Sequence, residues 1–293
     1  MTHIDVELAS QPRLWRRAAE LAASSADTLP RRGQRVAVVG CGTSLYMAQT
    51  YAALREASGH GETDAFPASE MPSRRYDAVV ALTRSGTTTE VVDLLTRLRG
   101  TVPTTVLTAD PDTPVMDVAD RALVLDFADE RSVVQTRSAT CALVLLRAHL
   151  GLDVDTLVAD GEAALAADLP AGAVERTQFT FLGTGWTVGL ANEAALKLRE
   201  AALAWAESYP GMEYRHGPMS VSDERSVVWV LGTPPRGLAD EVRRTGALWV
   251  AAERDPLAEV IRVQRLAVAL AARDGVDPDH PRNLTRSIIL TPA

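Results

Sequence analysis

Short apolar runs alternate along the chain with stretches in which apolar residues recur every three or four positions. This spacing predicts helices over 12–29, from 43 to about 57, from about 89 onward and over 138–150. The apolar runs predict strands at 35–40 (RVAVVG), 62–66 (ETDAF), 77–83 (DAVVALT), 104–109 (TTVLTA) and 121–127 (RALVLDF). Strands that alternate with helices indicate a parallel sheet covered by helices on both faces.

The pattern restarts in the second half of the chain, after a predicted linking helix within 153–172. The stretch FTFLGTGWTVGLANEAALKL echoes RVAVVGCGTSLYMAQTYAAL, and SVVWVLGTPP echoes DAVVALTRSG without its hydroxyls. A repeat of this length is typical of a duplicated domain. The sequence therefore predicts an α/β protein with two domains, 1–155 and 156–293, each a three-layer αβα arrangement of the flavodoxin-like or Rossmann-like kind.

Hydroxyl side chains cluster after the apolar run that ends at Leu82. Residues 81–90 read ALTRSGTTTE and place five hydroxyls around Gly86, directly before a helical pattern. The first backbone N–H groups of a helix are unpaired and carry partial positive charge, so such a site suits a phosphate. The alternative is an ordinary N-cap, for which Ser and Thr are preferred. Five hydroxyls within seven positions favour phosphate.

A second turn with hydroxyls follows the first predicted strand, at 40–44 (GCGTS). A dinucleotide site is one interpretation, because Asp64 lies about where a ribose-binding acid is expected. Leu45, however, stands where the third glycine of the fingerprint would be, and a partial fingerprint is weak. Because the carboxyl ends of parallel strands share one edge of a sheet, we expect both hydroxyl turns to converge on one phosphate.

Charged residues share one face of a predicted helix in the second half. Glu193, Lys197 and Glu200 lie at positions i, i+4 and i+7. Spacing alone favours a solvated salt-bridge stripe, and the loop that follows shifts the balance towards a functional site. The following loop at 209–218 (YPGMEYRHGP) carries His216, and loops at strand and helix ends often hold catalytic groups. A carboxylate and a histidine beside a phosphate site could transfer protons next to a sugar carbonyl.

Composition narrows the class of protein. The chain has 293 residues, 46% of them hydrophobic, and a formal net charge of −8, which argues against a nucleic-acid partner. It has two cysteines, and its N-terminal stretch lacks the apolar core of a secretory signal. We therefore expect a cytoplasmic protein without a membrane partner. The five histidines show no ligand spacing, so neither a metal nor another cofactor is expected.

Taken together and in this order, the motifs resemble those of the double-SIS (sugar isomerase) proteins. These include the isomerase half of glucosamine-6-phosphate synthase and related amino-sugar-phosphate deaminases and deglycases. The resemblance spans almost the whole chain. It is carried by GCGTS (40–44), ASE (68–70), SGTTTE (85–90), ERSVVQTRSAT (130–140), EAALKLRE (193–200), HGP (216–218) and HPRNLTRS (280–287).

The resemblance implies two tandem SIS domains and a sugar-phosphate substrate. The expected activity is aldose–ketose isomerisation of an amino-sugar or ketosamine 6-phosphate, with or without deamination or deglycation. Glu200 matches the general base, Lys197 a lysine of the same helix, and His216 the histidine of ring opening. In the family that histidine crosses a dimer interface, which implies a homodimer. Phosphate-binding hydroxyls match Thr43, Ser44, Thr83, Ser85 and Thr88, and sugar-lining positions match Glu130 and Gln135.

Departures from the synthase pattern limit the expected chemistry. No glutaminase domain or N-terminal cysteine precedes the first strand, so glutamine-dependent synthesis is not expected of this chain. Arg286 replaces a lysine, and arginine cannot form a Schiff base. Arg84 replaces a glutamine, where it could bind phosphate or face solvent. The alternative function is a non-catalytic phosphosugar sensor, although only about 35 residues precede the first strand, where such regulators usually carry a DNA-binding domain.

Overall fold

The computed structural model describes residues 2–291 and contains two compact units. The five-stranded unit comprises Arg13–Arg131, Gln135–Val154 and the described residues from Thr285 onward. The four-stranded unit comprises the described residues up to Pro12, Ser132–Val134 and Asp155–Leu284. The predicted domain division at 155/156 stays a prediction, since each compact unit also draws on separate pieces of the chain.

Each unit is built from parallel strands and helices, as the sequence predicts. The strands are β1 (Val36–Gly40), β2 (Thr63–Pro67), β3 (Ala78–Leu82), β4 (Thr104–Thr108), β5 (Arg121–Val124), β6 (Gln178–Gly183), β7 (Trp205–Pro210), β8 (Ser226–Leu231) and β9 (Leu248–Ala251). The helices are α1 (His3–Ala9), α2 (Gln11–Ser24), α3 (Thr43–Ala57), α4 (Thr89–Leu98), α5 (Val115–Val118), α6 (Arg137–His149), α7 (Asp155–Ala166), α8 (Thr187–Ala202), α9 (Leu238–Arg244) and α10 (Pro256–Asp274). Short 3₁₀ turns lie at Ala26–Thr28, Ala68–Glu70, Asp126–Ala128, Glu213–Arg215 and Pro218–Val221.

The two sheets repeat the same strand order. The first runs β2-β1-β3-β4-β5 and the second β7-β6-β8-β9, and all of their neighbouring strands pair in parallel. In both, the chain moves from the central strand to one side and then crosses to the other. A ligand site is expected where the order reverses, beyond the carboxyl ends of β1 and β3 or of β6 and β8. The predicted fold class is therefore confirmed.

Glycines explain why the two central strands turn into helices in the same way. A Cβ on Gly40 would lie 2.6 Å from the backbone carbon of Ser44, and one on Gly183 would lie 2.3 Å from the backbone oxygen of Thr187. Gly42 and Gly185 each lie two residues further along the chain and have φ of 56° and 59°. Both turns thus need glycine for close helix–strand approach and for left-handed backbone, which supports the duplication.

The structure differs from the sequence prediction in several elements. No element was predicted for α1, α9, β9 or α10, and the strand predicted over 121–127 ends at Val124. The helix predicted over 12–29 ends at Ser24, and a 3₁₀ turn follows. Strand β7 was not predicted, and its last residues lie where we expected a loop. As an edge strand it buries only Ala206, so it lacks the apolar run that identifies a central strand. No helix within residues 2–291 is long and apolar enough to span a membrane.

Candidate active site

The predicted site residues divide between the two units. The five-stranded unit holds the hydroxyl turns, both substituted arginines and the loop before α6, whereas the four-stranded unit holds Lys197, Glu200 and His216. The former set is Thr43, Ser44, Thr83, Arg84, Ser85, Thr88, Glu130, Gln135 and Arg286.

The loop between β3 and α4, residues 83–88, is held tightly at Gly86. This residue has φ of 64°, and its carbonyl accepts a 3.1 Å hydrogen bond from the Val115 N–H. A Cβ at this position would lie 2.0 Å from Oγ1 of Thr113. Glycine is required here for backbone conformation and for space, and this fixes the hydroxyls on either side of it.

Some hydroxyls of the two turns have no protein partner. Thr88 occupies the N-cap position of α4, yet its side chain does not cap the helix. Neither its hydroxyl nor those of Ser44 and Thr83 forms a hydrogen bond to another residue within 2–291. The ordinary N-cap interpretation is therefore wrong for Thr88. Hydroxyls that are held in place without partners are available to a ligand.

Other hydroxyls of the loop bind the protein itself. Thr87 donates to Ser85 over 3.1 Å or to Oγ of Ser287 over 2.9 Å. Oγ1 of Thr89 accepts a 2.8 Å hydrogen bond from the Leu290 N–H, and the Thr89 N–H donates to the Ile288 carbonyl over 3.1 Å. Residues 286–290, called the C-terminal segment below, therefore lie against the start of α4. Nothing in the sequence pattern indicated this contact.

Arg84, in the loop of residues 83–88, forms a buried ion pair with Glu130. Their side chains are 1% and 0% exposed, and Nη1 of Arg84 lies 3.6 Å from Oε2 of Glu130. The other carboxylate oxygen of Glu130 accepts hydrogen bonds of 2.6–2.8 Å from the Thr136 N–H, the Thr136 hydroxyl and the Arg137 N–H. Glu130 thus satisfies the first N–H groups of α6. Arg84 does not face solvent, and that alternative is wrong.

Gln135 lies between Glu130 and the start of α6 in the chain, and it lines a small cavity in the five-stranded unit. Ser44, Arg84 and Ser138 also line it, together with apolar residues of β3, β4 and α6. The cavity brings the turn after β1, the loop after β3 and the start of α6 together at one place. Of the hydroxyls in the two turns, Ser44 lines the cavity, and the convergence of both turns on one phosphate stays a prediction.

Arg286 anchors the C-terminal segment. Its guanidinium donates to the Glu130 carbonyl and to the Asp129 carboxylate. Its own carbonyl accepts a 3.0 Å hydrogen bond from Nη2 of Arg84. Asp129 was not predicted from the sequence, because a lone acidic residue in a loop carries no distinguishing signal.

The charged face of α8 is buried rather than solvated. The side chains of Glu193 and Lys197 are each 1% exposed, and that of Glu200 is 13% exposed. Nζ of Lys197 lies 3.5 Å from Oε1 of Glu193 and donates a short hydrogen bond to Oε2 of Glu200. The solvated-stripe interpretation is therefore wrong. Helix α8 packs against β6, β7 and α10, which removes this face from water.

Lys197 is the only lysine of the chain; the other residues in the total of 30 Lys and Arg are all arginine. An ammonium is a compact point charge, whereas a guanidinium is a wide planar fork. Two carboxylates on the same helix face can both approach the compact cation. Glu193, Lys197 and Glu200, called the α8 trio below, carry one net negative charge when all three groups are ionised. Of these side chains, that of Glu200 is partly exposed. This is the arrangement expected of a fixed, partly accessible carboxylate base.

His216 is exposed and lies just after the 3₁₀ turn Glu213–Arg215. Arg215, in this turn, forms a bidentate ion pair with Glu241, with N–O distances of 2.7 and 2.8 Å. Within residues 2–291 the imidazole makes no hydrogen bond or ion pair. No bond joins it to Glu200, so its role in ring opening stays a prediction.

The surroundings of Asp64 argue against the dinucleotide interpretation, and those of Cys41 argue against a nucleophilic thiol. Asp64 accepts a 2.6 Å hydrogen bond from Tyr76 and lies 3.7 Å from Arg74, so its carboxylate is engaged away from the turn after β1. Burial and the negative charge of Glu90 raise the pKa of the Cys41 thiol. A thiol with a raised pKa is a poor nucleophile at neutral pH.

Comparison with known proteins agrees with this fold. The chain is 28% identical over 313 residues to a glutamine–fructose-6-phosphate aminotransferase (isomerizing) of Xylella fastidiosa, covering 86% of this chain and 51% of the relative. The chain spans about half the length of the curated relatives it matches. No family model matches it.

Two solved structures share the fold over nearly their whole length. A glucosamine-6-phosphate deaminase of Thermotoga maritima has a TM-score of 0.83 at 23% identity, with 99% of this chain and 100% of that chain covered. The C-terminal domain of glucosamine-fructose-6-phosphate aminotransferase from Francisella tularensis has a TM-score of 0.81 at 20% identity, with 96% and 98% covered. The resemblance to double-SIS proteins is confirmed by this similarity to the aminotransferases and by the shared fold.

Gly86→Ala tests the packing of the 83–88 loop. Gly100 offers a matched control, because it has φ of 74° but a Cβ at its position would meet no atom within 4 Å. Both changes introduce left-handed strain of about 1–2 kcal/mol, and only Gly86→Ala adds a clash. We expect Gly86→Ala to reduce the free energy of unfolding by at least ~1 kcal/mol more than Gly100→Ala in urea titrations. Equal losses would contradict the close approach to Thr113.

Lys197→Met tests whether the α8 trio is an electrostatic unit. Removing the ammonium leaves two carboxylates close together, one of them fully buried, and we expect a loss of about 3–5 kcal/mol in the free energy of unfolding. Arg199→Met is the control, since this arginine lies on the exposed face of the same helix and donates one 3.0 Å hydrogen bond to Ala206. It should cost about 1 kcal/mol. If both variants lose a similar free energy of unfolding in urea titrations, Lys197 contributes no more to stability than an exposed cation.

Proposed function

We propose that the chain is an isomerase of an amino-sugar or ketosamine 6-phosphate. The five-stranded unit binds the phosphate, and Glu200 moves a proton between C1 and C2 of the open-chain sugar. The observation that carries the proposal is the α8 trio, in which the only lysine of the chain fixes a partly exposed carboxylate. Because this carboxylate is held by Lys197 and is partly exposed, it can contact a substrate.

Phosphate binding rests on the hydroxyls that lack protein partners. Ser44 and Thr88 each stand at the start of a helix that follows a central strand, where N–H groups and the helix dipole favour an anion. Thr83 belongs to the loop fixed by Gly86, as does Ser85, although the Ser85 hydroxyl also bonds to Thr87. Binding energy from the distant phosphate holds the reacting carbons in position for the proton transfer.

Proton transfer would proceed through an enediol or, for an amino sugar, an enolamine. His216 assists opening of the ring, and Glu200 then removes the proton α to the carbonyl and returns it to the neighbouring carbon. Lys197 holds the carboxylate and offsets the negative charge that develops beside it. The exposure of His216 suits a residue offered to a second copy of the chain, so we propose a homodimer.

The names of the similar proteins support this choice of substrate class. The Thermotoga maritima protein is called a glucosamine-6-phosphate deaminase, and the Xylella fastidiosa relative an isomerizing aminotransferase of fructose 6-phosphate. Both names involve a hexose 6-phosphate with an amino or keto group near C1 and C2. Arg286 is no substitute for a Schiff-base lysine, so isomerisation or deamination is favoured over amination.

Ser85→Ala combined with Thr88→Ala tests the phosphate site. Each lost hydrogen bond to a charged group is worth ~1.5–3 kcal/mol, so we expect KM for the phosphosugar to rise at least ~100-fold while the Tm stays near that of the wild type. Thr96→Ala on the exposed part of α4 is the control, because its hydroxyl bonds only to the Val92 carbonyl. An unchanged preference for phosphorylated over unphosphorylated sugar would refute the assignment.

Glu200→Gln tests the proposed function. The wild type should turn over at least one of a panel of hexose, hexosamine and fructosamine 6-phosphates, assayed together for ketose, ammonia and free amine. The variant should bind that substrate with near-normal affinity and lose ~10²–10⁴-fold in kcat. Glu20→Gln, an exposed change on α2, should keep full activity. Binding without turnover by the wild type would instead support the sensor, and full activity of Glu200→Gln would remove Glu200 as the base.

A further inference from the structure

The two arginines that depart from the synthase pattern meet in a single network in the five-stranded unit. Arg84 pairs with the Glu130 carboxylate and donates to the Arg286 carbonyl. Arg286 in turn donates to the Glu130 carbonyl and to the Asp129 carboxylate. Each guanidinium therefore has protein acceptors on at least two sides, and the two substitutions are coupled through residues 129–130.

This network sits at the beginning of a longer set of contacts along the C-terminal segment. Beyond Arg286, Ser287 accepts from Thr87, the Ile288 carbonyl accepts from the Thr89 N–H, and the Leu290 N–H donates to Oγ1 of Thr89. The segment thus runs beside the loop that carries Ser85 and Thr88. The side chains of Ile288, Ile289 and Leu290 are 53–67% exposed, so polar contacts rather than apolar burial hold it there.

A guanidinium suits this anchor because it offers several donors in a fixed plane. Arg286 reaches a carboxylate and a backbone carbonyl at once through two different nitrogens. A lysine has one nitrogen on a flexible stem and cannot reproduce that fork. A lysine at position 286 would therefore lose one of these two contacts.

We propose that Arg286 is a positioning residue, which clamps the C-terminal segment onto the 83–90 stretch and thereby fixes the phosphate-binding hydroxyls. This proposal rests on the proposed function for its effect on phosphate binding. Arg84 supports this arrangement through its ion pair with Glu130 and its hydrogen bond to the Arg286 carbonyl. It does not itself bind the phosphate. Asp129 holds the guanidinium of Arg286 in place.

Backbone amide exchange, followed site by site without substrate, tests the clamp in the whole protein. In Arg286→Ala the amides of Thr89 and Leu290 should exchange at least tenfold faster than in the wild type. The Val91 amide is an internal control, because it bonds to the Thr88 carbonyl within the α4 turn and should keep its rate. Arg286→Lys should give an intermediate rate, and Arg99→Ala, an exposed change in the same unit, should have no effect.

Kinetics separate positioning from a merely structural role. Arg286→Ala should raise KM for the phosphosugar about tenfold, the effect of about one charged hydrogen bond, with kcat changed less than about threefold. Asp129→Ala should act in the same direction, although Arg286 keeps its bond to the Glu130 carbonyl. The double variant should be no worse than Arg286→Ala, since Asp129 acts through that guanidinium. Additive effects, or a fall in kcat at constant KM, would overturn the positioning role.

The two levels of the proposal fail separately. Wild-type exchange rates at Thr89 and Leu290 in Arg286→Ala would overturn the clamp whatever the activity of the enzyme. If the wild type turns over no phosphosugar while exchange in Arg286→Ala is still faster, the clamp stands and the proposed function is refuted.

Discussion

Charged side chains that leave water need fixed partners, and both candidate sites depend on this constraint. In the four-stranded unit the Lys197 ammonium lies between two carboxylates, and in the five-stranded unit Arg84 lies against Glu130. Breaking such pairs is costly, because the remaining charge stays buried. Each pair therefore holds its surroundings in one geometry: the first fixes the Glu200 carboxylate on α8, and the second joins the loop of residues 83–88 to the start of α6.

The duplicated fold shows which features serve architecture and which serve chemistry. Glycines at the turns after β1 and β6 are needed in both units, because a Cβ would collide with the helix that follows. The hydroxyls after β3 have no equivalent after β8, where Gly232 and Thr233 are followed by two prolines. The shared residues maintain the fold, whereas the proposed phosphate-binding hydroxyls and the proposed base Glu200 belong to features that the two units do not share.

Much of the fold follows from the sequence, because apolar runs and glycine turns are local signals. The central strands, the helices α3, α4 and α8 and the repeat were predicted. The edge strand β7 lacked an apolar run, and no element was predicted for α9, β9 or α10. For the site, spacing put Glu193, Lys197 and Glu200 on one face but could not tell a buried face from a solvated one. Burial depends on what packs against α8, and the link between Arg286 and Asp129 joins residues far apart in sequence. Such long-range contacts leave no pattern in a single chain.

The proposed chemistry depends above all on one step, in which the carboxylate fixed by Lys197 removes a proton from a phosphorylated sugar. Incorporation of solvent deuterium at C1 or C2, followed by NMR, reports that step even when a later step limits turnover. We expect rapid incorporation with wild-type protein and a sugar 6-phosphate, little with the unphosphorylated sugar, and almost none with Glu200→Gln. Incorporation at the wild-type rate in Glu200→Gln would contradict this mechanism and would transfer the role of the base to another residue.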